Sequence, residues 1–565
     1  MNQAEFLYKR KKYRQKELIA NAIFYFWIPY KLKGEITIDG SIASIEIRLF
    51  MKRFLITIAV SCITLVHISA QLTSRNNQSA PKLVVGITIE SMRPDYLDRY
   101  WDTFTNGGFK RLLSYGAVFH NVRADIHNMK PATLIPTVYT GTYPAQHGIV
   151  ADQWYKQLTE QTVDAVKDNF YLTLGSDSNE GNASANQLKV LTVGDEMKLQ
   201  SNGKSKVFSV ALNANAAVLS AGHAADGAFW YDKTNGNIIT SSYYMETFPD
   251  WIMEYNHKKL AATYLERSWD LLLPKASYKA GFEDDYVLED GFWKKWNTFP
   301  YNLKKIGESQ EYPLELLKAV PAGNKLITDF AVQLIHQEQL GLDDYPDLIN
   351  LTYSIMDYAN KWYNPASVEI QETMVRMNME IANLLNYLDK TLGKDNYLVF
   401  LTSGSTSSYP VKIQKEEYNF NAGEFAPQSA MALLRSYLNA LYGVGDWIET
   451  YNEEQVYLNH NLIEKKEKPL NEMRQNAASF LNQFTGIKAA VPANLIEGGN
   501  LDNPRFEILE NSYCVQRSGD IMVILEEGWV CGRSATGTAF AMTAASSTAI
   551  SRYLKDVSVR TNRRV

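Results

Sequence analysis

The segment Asp395-Asn-Tyr-Leu-Val-Phe-Leu-Thr-Ser-Gly-Ser-Thr406 has the pattern of a buried strand that ends in a small polar loop. Its apolar run is bounded by turn residues. It follows a stretch, residues 367–392, whose apolar positions recur at the spacing of a core-facing helix. In open α/β sheets, ligands and chemistry lie at the carboxyl ends of the strands. This strand tip has no carboxylate, imidazole or thiolate, only Ser403, Gly404, Ser405 and Thr406.

Three further apolar runs, at residues 82–90, 206–212 and 347–353, predict strands of the same sheet. Strands that alternate with helices predict an α/β fold with a doubly wound, mostly parallel sheet. Residues 225–345 are rich in Trp, Tyr and Pro, and we expect them to form an inserted cap. A second insertion is expected at about 407–505. The stretch 517–525 then reads as a hairpin that returns to the sheet.

Composition narrows the class of protein. The 565 residues are 45% hydrophobic and 12% aromatic, which is ample for a large core and argues against disorder. The net charge of −5 gives no electrostatic reason to expect a nucleic-acid partner.

Residues 51–70 have the three parts of a secretory signal: basic Lys52-Arg53, an apolar run over 54–66, and a small residue, Ala70, before a cleavage point. Because such signals act at a true N-terminus, we interpret residues 1–50 as a mis-annotated leader. A cytoplasmic leader with 54–66 as an anchor is the alternative, but that run is short for a span of ~20 residues. The mature chain, residues 71–565, is then exported to the periplasm or envelope without a transmembrane span. Cys514 and Cys531 are either bridged or two buried thiols.

Several motifs together are similar to the alkaline phosphatase superfamily, in its secreted bacterial branch near the type I phosphodiesterases and nucleotide pyrophosphatases. They are Val84-Val-Gly-Ile-Thr-Ile-Glu-Ser-Met-Arg-Pro-Asp-Tyr96, Tyr139-Thr-Gly-Thr-Tyr-Pro-Ala-Gln-His-Gly-Ile149, and shorter matches at 354–358, 396–402 and 517–522. The resemblance implies an alkaline-phosphatase-like fold. It also implies two zinc ions held by Asp and His around a Thr or Ser nucleophile, a pair of metals that clamps both oxygens of a phosphoryl transfer.

Carried over position by position, most of that set is substituted. Glu90 stands for an Asp ligand, and Asp357 keeps one. The other family positions are occupied by Pro131 (the Thr nucleophile, with Thr133 two residues later), Lys361 (a His ligand), Gly404 and Ser405 (an Asp-His pair), Ala545 (the last His), Asn213 and Asn215 (a Lys-x-Arg phosphate clamp), and Asp152 (an Asn). Glu90 and Asp357 alone suit a hard cation better than zinc. Lys361 either fills vacated space beside them or is a solvated surface residue.

Two hypotheses follow. In the first, which the substitutions favour, the chain is a catalytically inactive pseudophosphatase. It has no cofactor and acts as a scaffold that binds a protein or envelope partner. In the second, it is a divergent phosphomonoesterase or phosphodiesterase that uses Thr133 and a divalent metal, zinc in the family, on Glu90, Asp357 and Asp152. A carbohydrate- or lipid-headgroup-binding role has only the abundance of Trp and Tyr in its favour.

Overall fold

The computed structural model describes residues 80–119, 122–279, 281–293, 295–355, 363–404, 407–498 and 507–532, together with the backbone of residues 558–559. The expected leader and signal, residues 1–70, lie outside these ranges, as do Asp357, Lys361, Ser405 and Ala545.

The strands, in chain order, are β1 (Leu83–Glu90), β2 (Ala117–Val118), β3 (Gln153–Lys156), β4 (Gln161–Asp164), β5 (Thr173–Leu174), β6 (Val207–Val210), β7 (Gly227–Tyr231), β8 (Ile238–Ser241), β9 (Ser268–Trp269), β10 (Tyr301–Asn302), β11 (Asp347–Ser354), β12 (Tyr397–Ser403), β13 (Gly423–Phe425), β14 (Ile448–Asn452), β15 (Gln455–Leu458), β16 (Ile487–Pro492), β17 (Ile521–Leu525), β18 (Trp529–Cys531) and β19 (Ser558–Val559).

Seven strands form the main sheet, in the order β12-β1-β11-β6-β7-β8-β5. The first five are parallel neighbours, while β8 runs antiparallel to both β7 and β5. In β1, seven of eight positions are buried, as expected for a central strand covered on both faces. The prediction of an α/β fold with a mostly parallel main sheet is confirmed.

The helices lie in the connections between the strands. They span Asp95–Arg99, Phe109–Tyr115, Pro131–Thr140, Pro144–His147, Val193–Gln200, Ala214–Ala221, Asp250–His257, Leu260–Leu265, Leu303–Glu308, Pro321–Gln337, Val368–Thr391, Val411–Glu416, Pro427–Tyr442, His460–Lys465, Leu470–Leu481, Ala493–Glu497 and Glu507–Ser512, with 3-10 turns at Trp101–Thr103, Lys275–Ser277 and Pro313–Ala319.

The longest of these helices, Val368–Thr391, begins where the sequence predicts, because the hydroxyl of Ser367 caps it by accepting a hydrogen bond from the N–H of Ile370. Its buried stripe includes Met374, Met377 and Ile381. The apolar positions that predicted a core-facing helix therefore lie in the main core.

A second, antiparallel sheet has the order β14-β15-β17-β16 and packs against helices Pro427–Tyr442 and Leu470–Leu481 around a core of its own. The stretch 517–525 enters this sheet as β17, so the expectation that it returns to the main sheet is wrong. The expected cap range of 225–345 also begins too early, because β7 and β8 belong to the main sheet. Both departures arise because short apolar strands do not reveal which sheet they join.

In the described ranges, no helix combines the length and apolar character needed to cross a membrane.

Candidate active-site edge

At the carboxyl edge of the main sheet, β1 ends in Glu90 and β12 ends beside it in Ser403. Glu90 is buried. The hydroxyl of Ser403 donates to the carbonyl of Met92 (3.0 Å), and the N–H of Gly404 donates to the carbonyl of Ile89 (3.0 Å). A Cβ on Gly404 would lie 2.7 Å from the Thr88 side chain, closer than side chains pack. The position at which the family carries an Asp is therefore closed to any larger residue in this conformation.

Thr133 lies in the first turn of helix Pro131–Thr140. Pro131 is the first residue of that helix, a position that suits proline because the N–H it lacks would have no partner there. Thr133 is fully buried. Its hydroxyl donates to the carbonyls of Asn128 and Lys130, at 2.9 Å for the latter. The hydroxyl therefore stabilises the start of the helix and is not presented to a substrate.

The start of the same helix holds an ion pair that the sequence did not predict. The ammonium of Lys130, which precedes Pro131, lies 3.1 Å from Oε1 of Glu453, and both side chains are nearly buried. Oε2 of Glu453 accepts hydrogen bonds from the Asn128 side chain (2.9 Å) and from the N–H of Asp152 (3.4 Å). Burial disfavours the ammonium, but the charges of Glu453 and Asp152 outweigh it, and the pKa of Lys130 lies above its usual value.

Glu453 reaches this place at the tip of the hairpin that joins β14 to β15. Glu453 and Glu454 both have positive φ (46° and 62°), the arrangement of a type I′ turn, which normally selects Asn and Gly. For non-glycine residues the left-handed region costs on the order of 1–2 kcal/mol each. Oε2 of Glu454 lies 3.2 Å from Nε2 of the buried His127. The contacts of the two carboxylates hold the turn in a conformation that its residues disfavour.

Asp152 and Asn215, two of the predicted substitution sites, meet in this cluster. Nδ2 of Asn215 donates to Oδ1 of Asp152 (3.0 Å). Burial, followed by the charge of Glu453, raises the pKa of Asp152 to about 6, although Lys130 and Asn215 act in the opposite direction. Asp152 is thus the least stable charge of the cluster near neutral pH.

The other clamp position, Asn213, begins helix Ala214–Ala221 and accepts a hydrogen bond from the ammonium of Lys318 (2.7 Å). Lys318 belongs to the 3-10 turn Pro313–Ala319 within the expected cap range. A cation therefore does reach this end of β6, but from a distant segment of the chain.

His147, which lies in the motif at 139–149, is fully buried. Its Nδ1 accepts from the N–H of Ile149 (3.1 Å), so its Nε2 carries the proton toward the Thr137 hydroxyl (3.1 Å). Burial and the nearby Arg517 lower the pKa of His147 to about 3, which keeps the ring neutral.

Cys514 and Cys531 are both free thiols.

The residues described at this edge do not fit a two-zinc centre. Within the described ranges, no three His, Cys, Asp or Glu side chains come together in a group able to hold a metal ion. The carboxylate of Glu453 instead faces the ammonium of Lys130, which supplies the positive charge that a metal ion would supply. Asp357, Lys361, Ser405 and Ala545 lie outside those ranges.

The cluster predicts that Asp152→Asn stabilises the fold in a pH-dependent way. Because the pKa of Asp152 is higher in the folded chain than in the unfolded chain, its ionisation opposes folding; that cost is absent below about pH 4 and complete above pH 6. Asparagine keeps the acceptor for Asn215. Urea denaturation should show the variant more stable by on the order of 1–2 kcal/mol near pH 8 and almost unchanged near pH 4. An equal effect at both pH values would contradict this account, and exposed Asp102→Asn is the control.

The ion pair predicts a large, non-additive response to mutation. Lys130→Met leaves Glu453 buried without its cation and should lower the free energy of unfolding by about 3 kcal/mol. Adding Glu453→Gln removes that unpaired charge, so the double variant should be more stable than Lys130→Met alone. Lys488→Met, which breaks an exposed pair with Glu527, should cost less than about 1 kcal/mol. Additive effects in the Lys130 and Glu453 cycle would rule out the coupling.

Comparison with known proteins places the chain in a family. The sequence profile described as type I phosphodiesterase / nucleotide pyrophosphatase matches residues 84–549. The chain is 34% identical to a Myroides odoratus protein named calcium-transporting ATPase (80% of this chain, 82% of that one) and 32% identical to the alkaline phosphatase PafA of Elizabethkingia meningoseptica (81% and 84%). The crystal structure of wild-type PafA superposes with a TM-score of 0.77 at 31% identity, over 85% of this chain and 90% of that one. The chain belongs to the type I phosphodiesterase/nucleotide pyrophosphatase family, within the alkaline phosphatase superfamily.

Proposed function

We propose that this protein is a member of its family that acts by binding and not by hydrolysis. The ion pair between Lys130 and Glu453 is the observation that carries the proposal. In this ion pair, the carboxylate of Glu453 lies at the start of helix Pro131–Thr140, beside Pro131, the position expected for the nucleophile.

Electrostatics at this edge support the proposal. One ammonium, that of Lys130, is surrounded by the carboxylates of Asp152, Glu453 and Glu454, which all contribute to its raised pKa. A phosphate ester that entered here would meet more negative than positive charge, and like charges repel strongly where water is scarce. Displacing Glu453 would also remove the contacts that offset the strained turn.

A variant of PafA supports the assignment of the substituted positions. That variant, whose fold matches this chain with a TM-score of 0.76 at 31% identity, has a threonine, an asparagine, a lysine and an arginine replaced. Its first two sites have the same spacing as Pro131 and Asp152, and its last two the same spacing as Asn213 and Asn215. This spacing supports Pro131, Asp152, Asn213 and Asn215 as the positions at which the chain differs from PafA.

The comparisons favour the second hypothesis, a divergent phosphoric ester hydrolase. Curated relatives covering four-fifths of the chain, among them PafA, are named alkaline phosphatases. In such an enzyme, a bound divalent metal would polarise the phosphoryl oxygens. Of the proposed ligands, Glu90 lies at the sheet edge, Asp152 is engaged with Asn215, and Asp357 lies outside the described residues. Thr133, the proposed nucleophile, donates to backbone carbonyls. With Thr133 and Asp152 engaged in this way, hydrolysis would require the described residues to rearrange.

The experiment that separates the two hypotheses measures metal and turnover on the full-length protein. After dialysis against Zn²⁺, we expect sub-stoichiometric zinc by elemental analysis and no hydrolysis of p-nitrophenyl phosphate or its bis ester above the buffer blank. PafA, assayed in parallel, is the positive control. Stoichiometric zinc with turnover that is abolished by Glu90→Gln and retained in Thr133→Ser would establish the hydrolase and overturn our proposal.

We further propose that the chain is exported and that its partner belongs to the cell envelope, since residues 51–70 carry the pattern of a secretory signal. Expression with a C-terminal epitope should place the protein in the periplasmic or envelope fraction, shortened to begin at Gln71. Intact, full-length protein in the cytoplasmic fraction would contradict export.

A further inference from the structure

Two glutamates, Glu289 and Glu369, meet between the acidic segment 282–290 and the start of helix Val368–Thr391. The acidic segment reads Phe-Glu-Asp-Asp-Tyr-Val-Leu-Glu-Asp and carries five carboxylates. Glu369 is the second residue of the helix, and its side chain is fully buried. The charge of Glu369 acts on Glu289 more strongly than any other charge does, so the two carboxyl groups are neighbours although they lie far apart in the sequence.

Each of the two carboxyl groups has one oxygen with a hydrogen-bond partner and one without. Oε1 of Glu289 accepts hydrogen bonds from the backbone N–H of Asn364 (3.3 Å) and from its side-chain amide. Oε1 of Glu369 accepts a hydrogen bond from the hydroxyl of Tyr301 (2.6 Å). Oε2 of each glutamate is buried and has no hydrogen-bond partner among the described residues. A buried oxygen without a donor is costly, and a protonated carboxyl group supplies the donor that is missing.

The groups around this pair are acidic or neutral. Within the described ranges, neither carboxyl group forms an ion pair. Asp284, in the acidic segment, adds a further negative charge, and its own partner, the ammonium of Lys275 at 3.5 Å, is mostly exposed to solvent. The phenols of Tyr301 and Tyr363 also lie near the pair; burial and then the charge of Glu369 raise the pKa of both, so they stay neutral. Two ionised carboxylates would therefore repel each other here.

These surroundings favour the protonated forms of the two glutamates. Burial and then the charge of Glu369 raise the pKa of Glu289 to about 9. Burial raises the pKa of Glu369 to about 8, although the hydroxyls of Tyr301 and Ser367 act in the opposite direction. Near neutral pH the pair therefore keeps protons, and the O–H of one carboxyl group can donate to the free oxygen of the other.

The rest of the acidic segment contributes little apolar contact. The N–H of Phe282 donates to the carbonyl of Ala366 (2.9 Å), and the ring of Phe282 stacks on that of Tyr286 within the segment itself. The exposed residues of the segment are Glu283, Asp285, Val287 and Asp290. A segment that buries few apolar side chains opens easily, so its attachment depends strongly on the carboxyl pair.

We propose that Glu289 and Glu369 form a pH-dependent latch, in which a proton shared between the two carboxyl groups holds the acidic segment on the helix start, and loss of that proton at alkaline pH releases the segment. The proton passes to solvent, and the two carboxylates that remain repel each other. The latch is separate from the ion pair between Lys130 and Glu453, so it does not depend on the proposed binding function.

The direction of the pH effect follows from the pKa values. In the released segment both carboxyl groups have ordinary pKa values near 4.5, whereas in the closed form the values are about 9 and about 8. The closed form is thus fully favoured below about pH 4.5 and is weakened as the pH rises, until the pKa of each closed carboxyl group is reached. Over that range, each group makes opening about tenfold more favourable per pH unit.

Chymotrypsin digestion of the full-length protein tests the proposal, with mass spectrometry to measure cleavage inside the acidic segment, after Tyr286 or Leu288. When opening and closing are fast, the cleavage rate follows the open fraction. From about pH 6.5 to about pH 8.5, the ratio of the wild-type rate to that of Glu289→Gln should rise about tenfold per pH unit. Asp290→Asn, at an exposed position of the same segment, is the control, and its rate relative to wild type should stay constant.

The slope with pH is the readout, so a variant that loosens the segment at every pH leaves the test valid. Glu369→Gln should give the same slope, and thermal unfolding at about pH 6.5 checks that both variants fold. A ratio that does not change with pH, or wild-type protein that resists cleavage up to about pH 9, would overturn the proposal. So would millimolar Ca²⁺ that slows cleavage of the wild type and not of Glu289→Gln, because a cation and not a proton would then join the carboxylates.

Discussion

The pairing of Lys130 with Glu453 is the interaction on which the character of the sheet edge depends. It joins the start of helix Pro131–Thr140, which packs beside the main sheet, to a turn of the second sheet. A buried carboxylate and a buried ammonium are each costly alone, so each side chain fixes the other in place. Oε2 of Glu453 also accepts hydrogen bonds from the Asn128 side chain and from the N–H of Asp152. Among the described residues, this part of the edge is therefore occupied by paired polar side chains.

The turn that carries Glu453 has an unfavourable backbone conformation, and this contact helps to maintain it. Two consecutive glutamates in left-handed backbone are unfavourable, and residues held in such conformations persist only where their surroundings over-determine them. Here the surroundings are Lys130 on one side and His127 on the other. A glycine-containing turn would fold more easily but would present no carboxylate to Lys130. The strain is therefore tied to the charge pairing and not to hairpin formation itself.

Much of the fold could be predicted from the sequence because its signals are local. The apolar runs at 82–90 and 347–353 are β1 and β11, and the periodic stretch 367–392 is the helix Val368–Thr391. The filled edge could not be predicted. Asn128 and Glu453 are 325 positions apart in the sequence. The turn sequence Asn-Glu-Glu-Gln at 452–455 is not typical of a type I′ turn, so no local pattern predicts the contact. The surroundings of Thr133 could not be predicted for a related reason, since a hydroxyl near a helix start bonds to backbone carbonyls as readily as it faces a cleft.

The substitutions at the edge are consistent with one another when each is considered for the charge or the side-chain volume that it changes. Where the family carries an acidic ligand after β12, Gly404 lets the Thr88 side chain pack at a distance that no Cβ would allow. Where the family is expected to carry the nucleophile, Pro131 stiffens the helix start, and the preceding Lys130 supplies a fixed positive charge. Metal ions would add positive charge to this edge, and Lys130 already neutralises Glu453. In the proposed binding role, restoring any single ligand would leave both the ion pair and the Thr88 contact in place, and regaining a metal centre would require several of these positions to change together.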